Sequence, residues 1–324
     1  MAKAIRFART GGPEVLEYVE VEVGDPGPGE ARVRNHAIGV NFIDVYFRTG
    51  LYPLQLPSGL GQEGAGVVEA VGPGVTHVKP GDRVAYAARP NGSYSELRVM
   101  PAEILVRLPD AISFETGAAA MLQGLTVQYL LKQTYAVQPG ETILFHAAAG
   151  GVGLIACQWA RALGVNLIGT VGSNEKAALA KAHGAAHVIN YNTEDVVQRV
   201  LEITGGAKVP VVYDSVGKDT FARSLDCLRP RGLMVSFGNS SGPVPPFALS
   251  ELASRGSLYI TRPSLQSYAA TREQLEAMAA DLFGVIESGQ VKIEINQRFP
   301  LRDAGKAHIE LEARRTTGKT ILLP

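Results

Sequence analysis

The sequence predicts an α/β protein in which a doubly wound parallel sheet domain is joined to a second, mostly β domain. Three observations carry that prediction. From about residue 123 onward, strand-like and helix-like segments alternate, which implies a parallel sheet covered on both faces. Within that half, the apolar strand Thr142–Phe145 runs through His146-Ala147-Ala148-Ala149 into Gly150-Gly151-Val152-Gly153 and an apolar helix. This is the strand, turn and helix that a dinucleotide's pyrophosphate needs, because N–H groups at the helix start point at the phosphates and absent side chains let them approach. Residues 1 to 122, by contrast, are short apolar runs cut by turns such as Pro26-Gly27-Pro28-Gly29, Pro73-Gly74, Pro80-Gly81-Asp82 and Asn91-Gly92.

Taken in order, residues 2–10 read as a short strand, and alternation at 31–34 and 96–99 predicts two more. The second half reads as strand 142–145, helix 151–163, strand 166–171, helix 174–183, strand 187–189, helix 194–204, strand 210–213, helix 218–228 and strand 232–237. A loop with Pro243, Pro245 and Pro246 leads to the apolar strand 258–260. A helix over 272–288 then opens a tail that reads as β-rich. The tail resumes the style of the first half. The mostly β domain is therefore expected to be discontinuous, over 1–122 and 268–324, with the nucleotide-binding domain inserted at 123–267.

A chain of 324 residues can bury a large core in two domains. Its 31 basic and 31 acidic residues leave a net charge of +0, and no basic block stands out, which weakens any case for nucleic acid or a membrane surface as partner. No apolar run approaches the roughly 18 residues of a membrane span, and the N-terminus does not read as a signal peptide, so the expected location is cytoplasmic. Cys157 and Cys227 are too few for a disulfide framework or a four-cysteine zinc lobe, and Cys157 reads as a buried thiol.

The glycine loop Ala148-x-Gly150-x-x-Gly153 is one step off G-x-G-x-x-G, and its flanking strand, helix and second strand make it specific. Gly150, Gly151, Val152 and Gly153 are the expected pyrophosphate contacts. NAD-binding versions place an acid at the end of the second strand for the ribose 2′-hydroxyl. That position here is about Val171, which is neutral. Gly172 follows, then Ser173 and Lys176, which could hold a 2′-phosphate by hydroxyl and by charge, and Tyr191 could stack on adenine or reach the phosphate. Ser173 could instead cap the next helix, and Glu175 could bind a free 2′-hydroxyl and favour NADH. Lacking a strand-end acid, the site is predicted to take NADPH.

Upstream, the run from Gly61-Gln62-Glu63-Gly64 to Val71-Gly72 resembles the signature of medium-chain alcohol dehydrogenases. The resemblance covers nearly the whole chain. It implies a Rossmann-type nucleotide domain and a GroES-like catalytic domain. Where that family's zinc enzymes hold the catalytic metal, this sequence has Asn41, Gln62 and Gln123. Amide oxygens are weak donors for zinc, so no metal is expected. His183 and His187 do not rescue a site, because Gly184-Ala185-Ala186 separates a helix end from a strand start.

The zinc-free pattern is similar to the quinone oxidoreductase, or ζ-crystallin-like, branch. The carrying residues are the run from Asn41-Phe42-Ile43-Asp44 to Leu51-Tyr52-Pro53, the Ala-Ala-Ala-Gly-Gly-Val-Gly loop, Asp214-Ser215-Val216-Gly217, Phe237-Gly238-Asn239 and Ala313-Arg314. The resemblance implies further cofactor contacts at Asn41, Tyr129, Ser215, Phe237, Asn239 and Arg314, and a homodimer paired through the strand Leu258-Tyr259-Ile260-Thr261. It implies reduction of a quinone by NADPH. The alternatives are reduction of activated C=C bonds in enals, enones or enoyl thioesters, and non-enzymatic binding of NADPH or RNA. Candidate donors to the oxygen that gains charge are Tyr52, Tyr46, Asn41 and Gln62. Tyr52 leads because Gly50-Leu51-Tyr52-Pro53 is similar to the context of the catalytic tyrosine in enoyl-thioester reductases. Asp44 is expected only to fix its loop through backbone hydrogen bonds.

Two further motifs are decoys. Gly238-Asn239-Ser240-Ser241-Gly242 fits a hydrolase nucleophile elbow, but prolines follow where a helix is needed. Gly318-Lys319-Thr320 is similar to the end of a P-loop, but Ala313 stands at the first glycine position and no helix can follow.

Overall fold

The structure is a computed structural model that describes residues 1–87 and 90–324. It divides into two compact units. One comprises Met1–Leu125, Ala269–Glu287 and Ile293–Pro324; the other comprises Thr126–Tyr268 and Ser288–Lys292.

The second unit is built on six parallel strands in the order His187–Asn190, Asn166–Val171, Thr142–Phe145, Val209–Asp214, Leu228–Ser236, Tyr259–Thr261. The chain winds outward from Thr142–Phe145 in one direction and from Val209–Asp214 in the other. The switch point therefore lies between these two central strands, where ligands of such sheets bind beyond the carboxyl ends. Val209–Asp214 is buried at every position, as a central strand with both faces covered requires. Its Pro210 cannot donate to a ladder. It is tolerated because the register slips between Val209 and Val211, so the ladder bulges there. Leu144, Ile168, Val212 and Met234 from the sheet pack with Val196, Val200, Phe221 and Leu225 from the helices. Each such side chain contributes about 1.5–3 kcal/mol on full burial. Cys157 and Cys227 are both buried, unpaired thiols.

In the first unit the long strand Glu30–Val40 is the hub. It pairs antiparallel with Glu63–Val71, Leu97–Pro101 and Lys319–Leu323. The sheet runs Ile295–Pro300, Lys319–Leu323, Glu30–Val40, Glu63–Val71, Arg83–Ala87, Val106–Arg107. Two helices interrupt what the sequence presents as loop and β-rich tail, Phe42–Thr49 and Ala304–Glu312. Val45, Tyr46 and Phe47 have strand-like side chains, yet local polar groups hold the first of these segments helical. Asp44 Oδ2 accepts the Asn41 N–H (2.9 Å) at its start, and Gly50 ends it in the left-handed region at φ 81°. The tail helix carries Ala304, Ala307 and His308 into the core, a spacing of three and four that the polar residues between them obscure.

Candidate functional site

The glycine loop leaves Phe145 with Ala147 in the left-handed region (φ 57°), an uncommon place for a side chain. Gly150 precedes the helix Gly151–Ala162, whose start has no side-chain cap. The first helical bond runs from Leu154 N to Gly150 O, so the N–H groups of residues 151–153 lie ahead of the helical ladder. Gly153 allows helix and turn to meet, since a Cβ there would fall 2.6 Å from Ala148 Cα. Ala148 replaces the fingerprint's first glycine, and the structure supplies the compensation. The facing residue is Gly169, where a Cβ would lie 2.5 Å from the Ala148 Cβ.

Beyond Val171 the predicted 2′-phosphate residues come together. Tyr191 lies over Gly172, with its hydroxyl 2.5 Å from where a Gly172 Cβ would be. Tyr191 N donates to Val171 O, and Asn192 Nδ2 donates to Gly172 O (2.7 Å). Ser173 caps the helix Asn174–Ala182, its Oγ accepting from Lys176 N (3.2 Å). It also hydrogen-bonds to the exposed Glu175 carboxyl and so holds that group below the usual carboxylate range. The capping alternative is therefore realised, and Lys176 is the residue of the pair that adds charge to the cluster.

Ser215, Phe237 and Asn239 meet at the carboxyl edge of the sheet. A Cβ on Gly238 would overlap the Ser215 backbone, and Ser240 N donates to Ser215 O (3.1 Å). The Phe237 ring lies 5.6 Å from that of Phe145. Arg262, which the sequence reading passes over, ties this corner by donating to Ser236 O (2.9 Å) and Gly238 O (3.2 Å). Tyr129 is buried and stacked face to face on Tyr268 at 4.6 Å, another residue without a sequence signal. Arg314 is in the other unit. It is exposed and left-handed (φ 57°) just past the helix Ala304–Glu312.

In the first unit Asn41 sits in a buried charged cluster. Lys319 Nζ donates to Asn41 Oδ1 and to Glu63 Oε2, both at 2.6 Å, and Asn41 Nδ2 donates to Glu63 Oε2 at 2.7 Å. Glu63 Oε1 accepts the Leu122 N–H (2.7 Å), and Gln123 Nε2 reaches Asn41 Oδ1 at 3.4 Å. Gln62 is buried but bonded to Asn91 Oδ1 (2.7 Å). Among the described residues no three His, Cys, Asp or Glu side chains cluster as a metal site. The donor set does not fit zinc. Its groups are neutral amides, and a fixed ammonium already occupies the Asn41 oxygen.

Tyr46 and Tyr52 form an edge-to-face pair with ring centroids 5.2 Å apart, and Tyr52 N donates to Tyr46 O (3.0 Å). Tyr46 is carried by the helix Phe42–Thr49, which a buried polar chain anchors. Tyr94 Oη donates to Asp44 Oδ2 (2.9 Å) and lies 3.1 Å from His308 Nε2; Arg48 Nη1 lies 3.0 Å from His308 Nδ1 and pairs with Glu312. With the tyrosine proton spent on Asp44, His308 must donate from Nε2 and accept from Arg48 at Nδ1. That is the neutral tautomer. Burial and the Arg48 charge accordingly hold His308 down at about 3. Burial pushes Asp44 up to about 7, against its bonds to Asn41 and Tyr94.

These two shifts oppose each other in acid. Between pH about 4 and 6.5 the folded state holds a proton on Asp44 that the unfolded chain lacks, which stabilises the fold as pH falls. Over the same window the unfolded chain binds a proton that His308 refuses, which destabilises it. The wild-type pH slope from this pair is near zero. Asp44→Asn leaves the histidine contribution alone and should make stability fall by about 1.4 kcal/mol per pH unit more steeply than in the wild type from pH 6.5 to 4. Denaturant melts at several pH values measure this, and parallel slopes for the two proteins would refute it.

The sequence matches two family models, "Alcohol dehydrogenase GroES-like domain" over residues 27–110 and "Zinc-binding dehydrogenase" over residues 151–282. It is 66% identical to a quinone oxidoreductase of Pseudomonas aeruginosa across 100% of both chains. It is 47% identical to a 2-haloacrylate reductase of a Burkholderia species, over 100% of this chain and 99% of that one. The structure is similar to that of an Escherichia coli quinone oxidoreductase complexed with NADPH, with a TM-score of 0.99, 57% identity and full coverage of both chains.

Proposed function

The chain belongs to the quinone oxidoreductase branch of the medium-chain dehydrogenase/reductase superfamily, and we propose that it reduces quinones with NADPH and without a metal. The observation that carries this reading is the Asn41 cluster. Where the superfamily's zinc enzymes place a ligand, a buried amide is closed by Lys319 and Glu63. An unactivated alcohol then has no Lewis acid to help it lose its proton, whereas a quinone ring spreads the incoming charge and needs none.

Bound NADPH supplies the hydride. The N–H groups of residues 151–153 hold the pyrophosphate, with Gly150 leaving room for it. Lys176 and Tyr191 hold the 2′-phosphate, and Ser215, Phe237, Asn239 and Tyr129 shape the remainder of the cofactor site. The resemblance adds Arg314 and Asn41 as proposed cofactor contacts. Tyr52, supported by Tyr46, donates to the acceptor oxygen as it gains charge, with Asn41 and Gln62 as further polar groups. In steady-state assays NADPH should reduce a panel of small quinones, and simple alcohols should not be oxidised. NADPH should bind at least about tenfold more tightly than NADH, as one charge-assisted contact allows, and Lys176→Ala should narrow that gap. Equal dissociation constants in the wild type would reject the NADPH assignment.

The likeness to a 2-haloacrylate reductase supports a second reading, reduction of C=C bonds activated by a carbonyl or carboxyl group. Turnover of enones without turnover of quinones would select it. One edge of the nucleotide-binding sheet is Tyr259–Thr261, with Tyr259 61% exposed beside the partly exposed Ile260. An apolar edge of this kind invites pairing with its own copy, and a twofold homodimer is the proposed assembly. Light scattering should give about twice the chain mass at micromolar concentration, and a monomer mass would reject the dimer. No helix among the described residues is long and apolar enough to cross a membrane. We place the activity in the cytoplasm, where thiols such as Cys157 and Cys227 stay reduced.

A further inference from the structure

Lys319 belongs to a motif without an evident role in the sequence, yet it lies at the centre of the catalytic unit. Thr320 is paired with Val40, so the next antiparallel step brings Lys319 opposite Asn41. Its side chain is 2% exposed and that of Glu63 is 0% exposed. Taking both charges out of water is costly, and an apolar pair of the same volume would fill the space with equal or greater stability. The strand Glu30–Val40 also makes room for the pair. A Cβ on Gly39 would overlap the Glu63 carboxylate and the Ala118 carbonyl oxygen, so only glycine admits Glu63 here.

The pair acts on Asn41 in a definite sense. An ammonium only donates and a carboxylate only accepts, so the Asn41 amide can stand one way round, with oxygen to Lys319 and nitrogen to Glu63. Gln123 Nε2 adds a second donor to the same oxygen. One Nδ2 hydrogen is spent on Glu63, and the second has no acceptor among the described residues. An ammonium on an amide oxygen withdraws electrons from the nitrogen and strengthens that remaining N–H as a donor.

We propose that Lys319 is a positioning residue for quinone reduction: with Glu63 it locks and polarises the Asn41 amide as a hydrogen-bond donor to the acceptor oxygen that gains charge. The metal's polarising role passes to a fixed protein cation acting through one side chain. This inference rests on the quinone-reductase reading and names its electrostatic source.

The deciding experiment is the charge-neutral double variant Lys319→Met/Glu63→Gln, assayed with NADPH and a small quinone beside the wild type, with NADPH affinity and Tm measured on both. A pair that only balances itself loses nothing when both charges go. The proposal expects kcat to fall at least tenfold, with the quinone KM at saturating NADPH within about twofold of wild type. A double variant with kcat within fivefold of wild type overturns it, as does a loss confined to KM. Should the double variant not fold, Lys319→Gln, which keeps a donor but no charge, is read by the same criteria. A wild type that turns over no quinone overturns the underlying reading and this inference together. A wild type that turns over quinones beside a fully active double variant overturns the inference alone.

Discussion

Gly153→Val is expected to abolish useful NADPH binding, raising its Kd by more than about 100-fold, or about 2.7 kcal/mol. The added Cβ would meet backbone, at the Ala147 carbonyl oxygen and the Ala148 Cα and carbonyl carbon. Backbone cannot swing away as a flexible side chain can. The helix Gly151–Ala162 must instead withdraw from the turn, and it takes with it the N–H groups proposed to hold the pyrophosphate. Gly150→Ala separates room for the phosphates from the packing of helix on turn, and its loss of affinity should come without a loss of fold. Its Cβ would have one neighbour within 4 Å, the Ala147 oxygen at 3.3 Å, so the fold should survive with Tm nearly unchanged. Fluorescence titration with NADPH reads both variants. A Gly153→Val protein that binds NADPH like the wild type would show that the close approach of helix and turn does not govern the site.

The parallel sheet was legible because its central strands are buried on both faces and read as short apolar runs, Val211-Val212-Tyr213 among them. The glycine loop was legible for the same kind of reason, since its residues act in sequence order within one turn. Ser173 shows where local reading stops. A serine before a helix satisfies both a capping and a phosphate role, and only the bond from Lys176 N shows that capping is made. The charged cluster was not legible at all. Lys319 and Glu63 are 256 residues apart in sequence, and strand register alone brings them together. The same holds for Arg48, Tyr94 and His308, whose chain of bonds spans three separate segments. The helix Phe42–Thr49 was missed because its aromatic and β-branched residues favour strand, while the forces that make it helical come from Asp44, Gly50 and that distant chain.

Tyr52→Phe is expected to lower kcat for quinone reduction by about ten- to a thousandfold while NADPH affinity stays nearly unchanged. The ring is already held without its hydroxyl. It packs edge-to-face on Tyr46 and on Phe47, at 5.2 and 5.7 Å, and its backbone N–H is fixed to Tyr46 O. Phenylalanine keeps all three contacts, so a loss of activity can be charged to the oxygen. A hydroxyl that bound ground state and transition state equally would raise KM and spare kcat. A hydroxyl that meets charge only as it forms lowers kcat, because the donor is worth most where the acceptor is most negative. Tyr46→Phe separates the two tyrosines. Tyr46 is the more deeply buried and sits on the anchored helix, so the role proposed for it is to hold the Tyr52 ring, and its variant should lose less. Unaltered turnover in Tyr52→Phe beside a large loss in Tyr46→Phe would reverse the two assignments. Unaltered turnover in both would leave the Asn41 amide, with Lys319 behind it, as the donor that the acceptor oxygen meets.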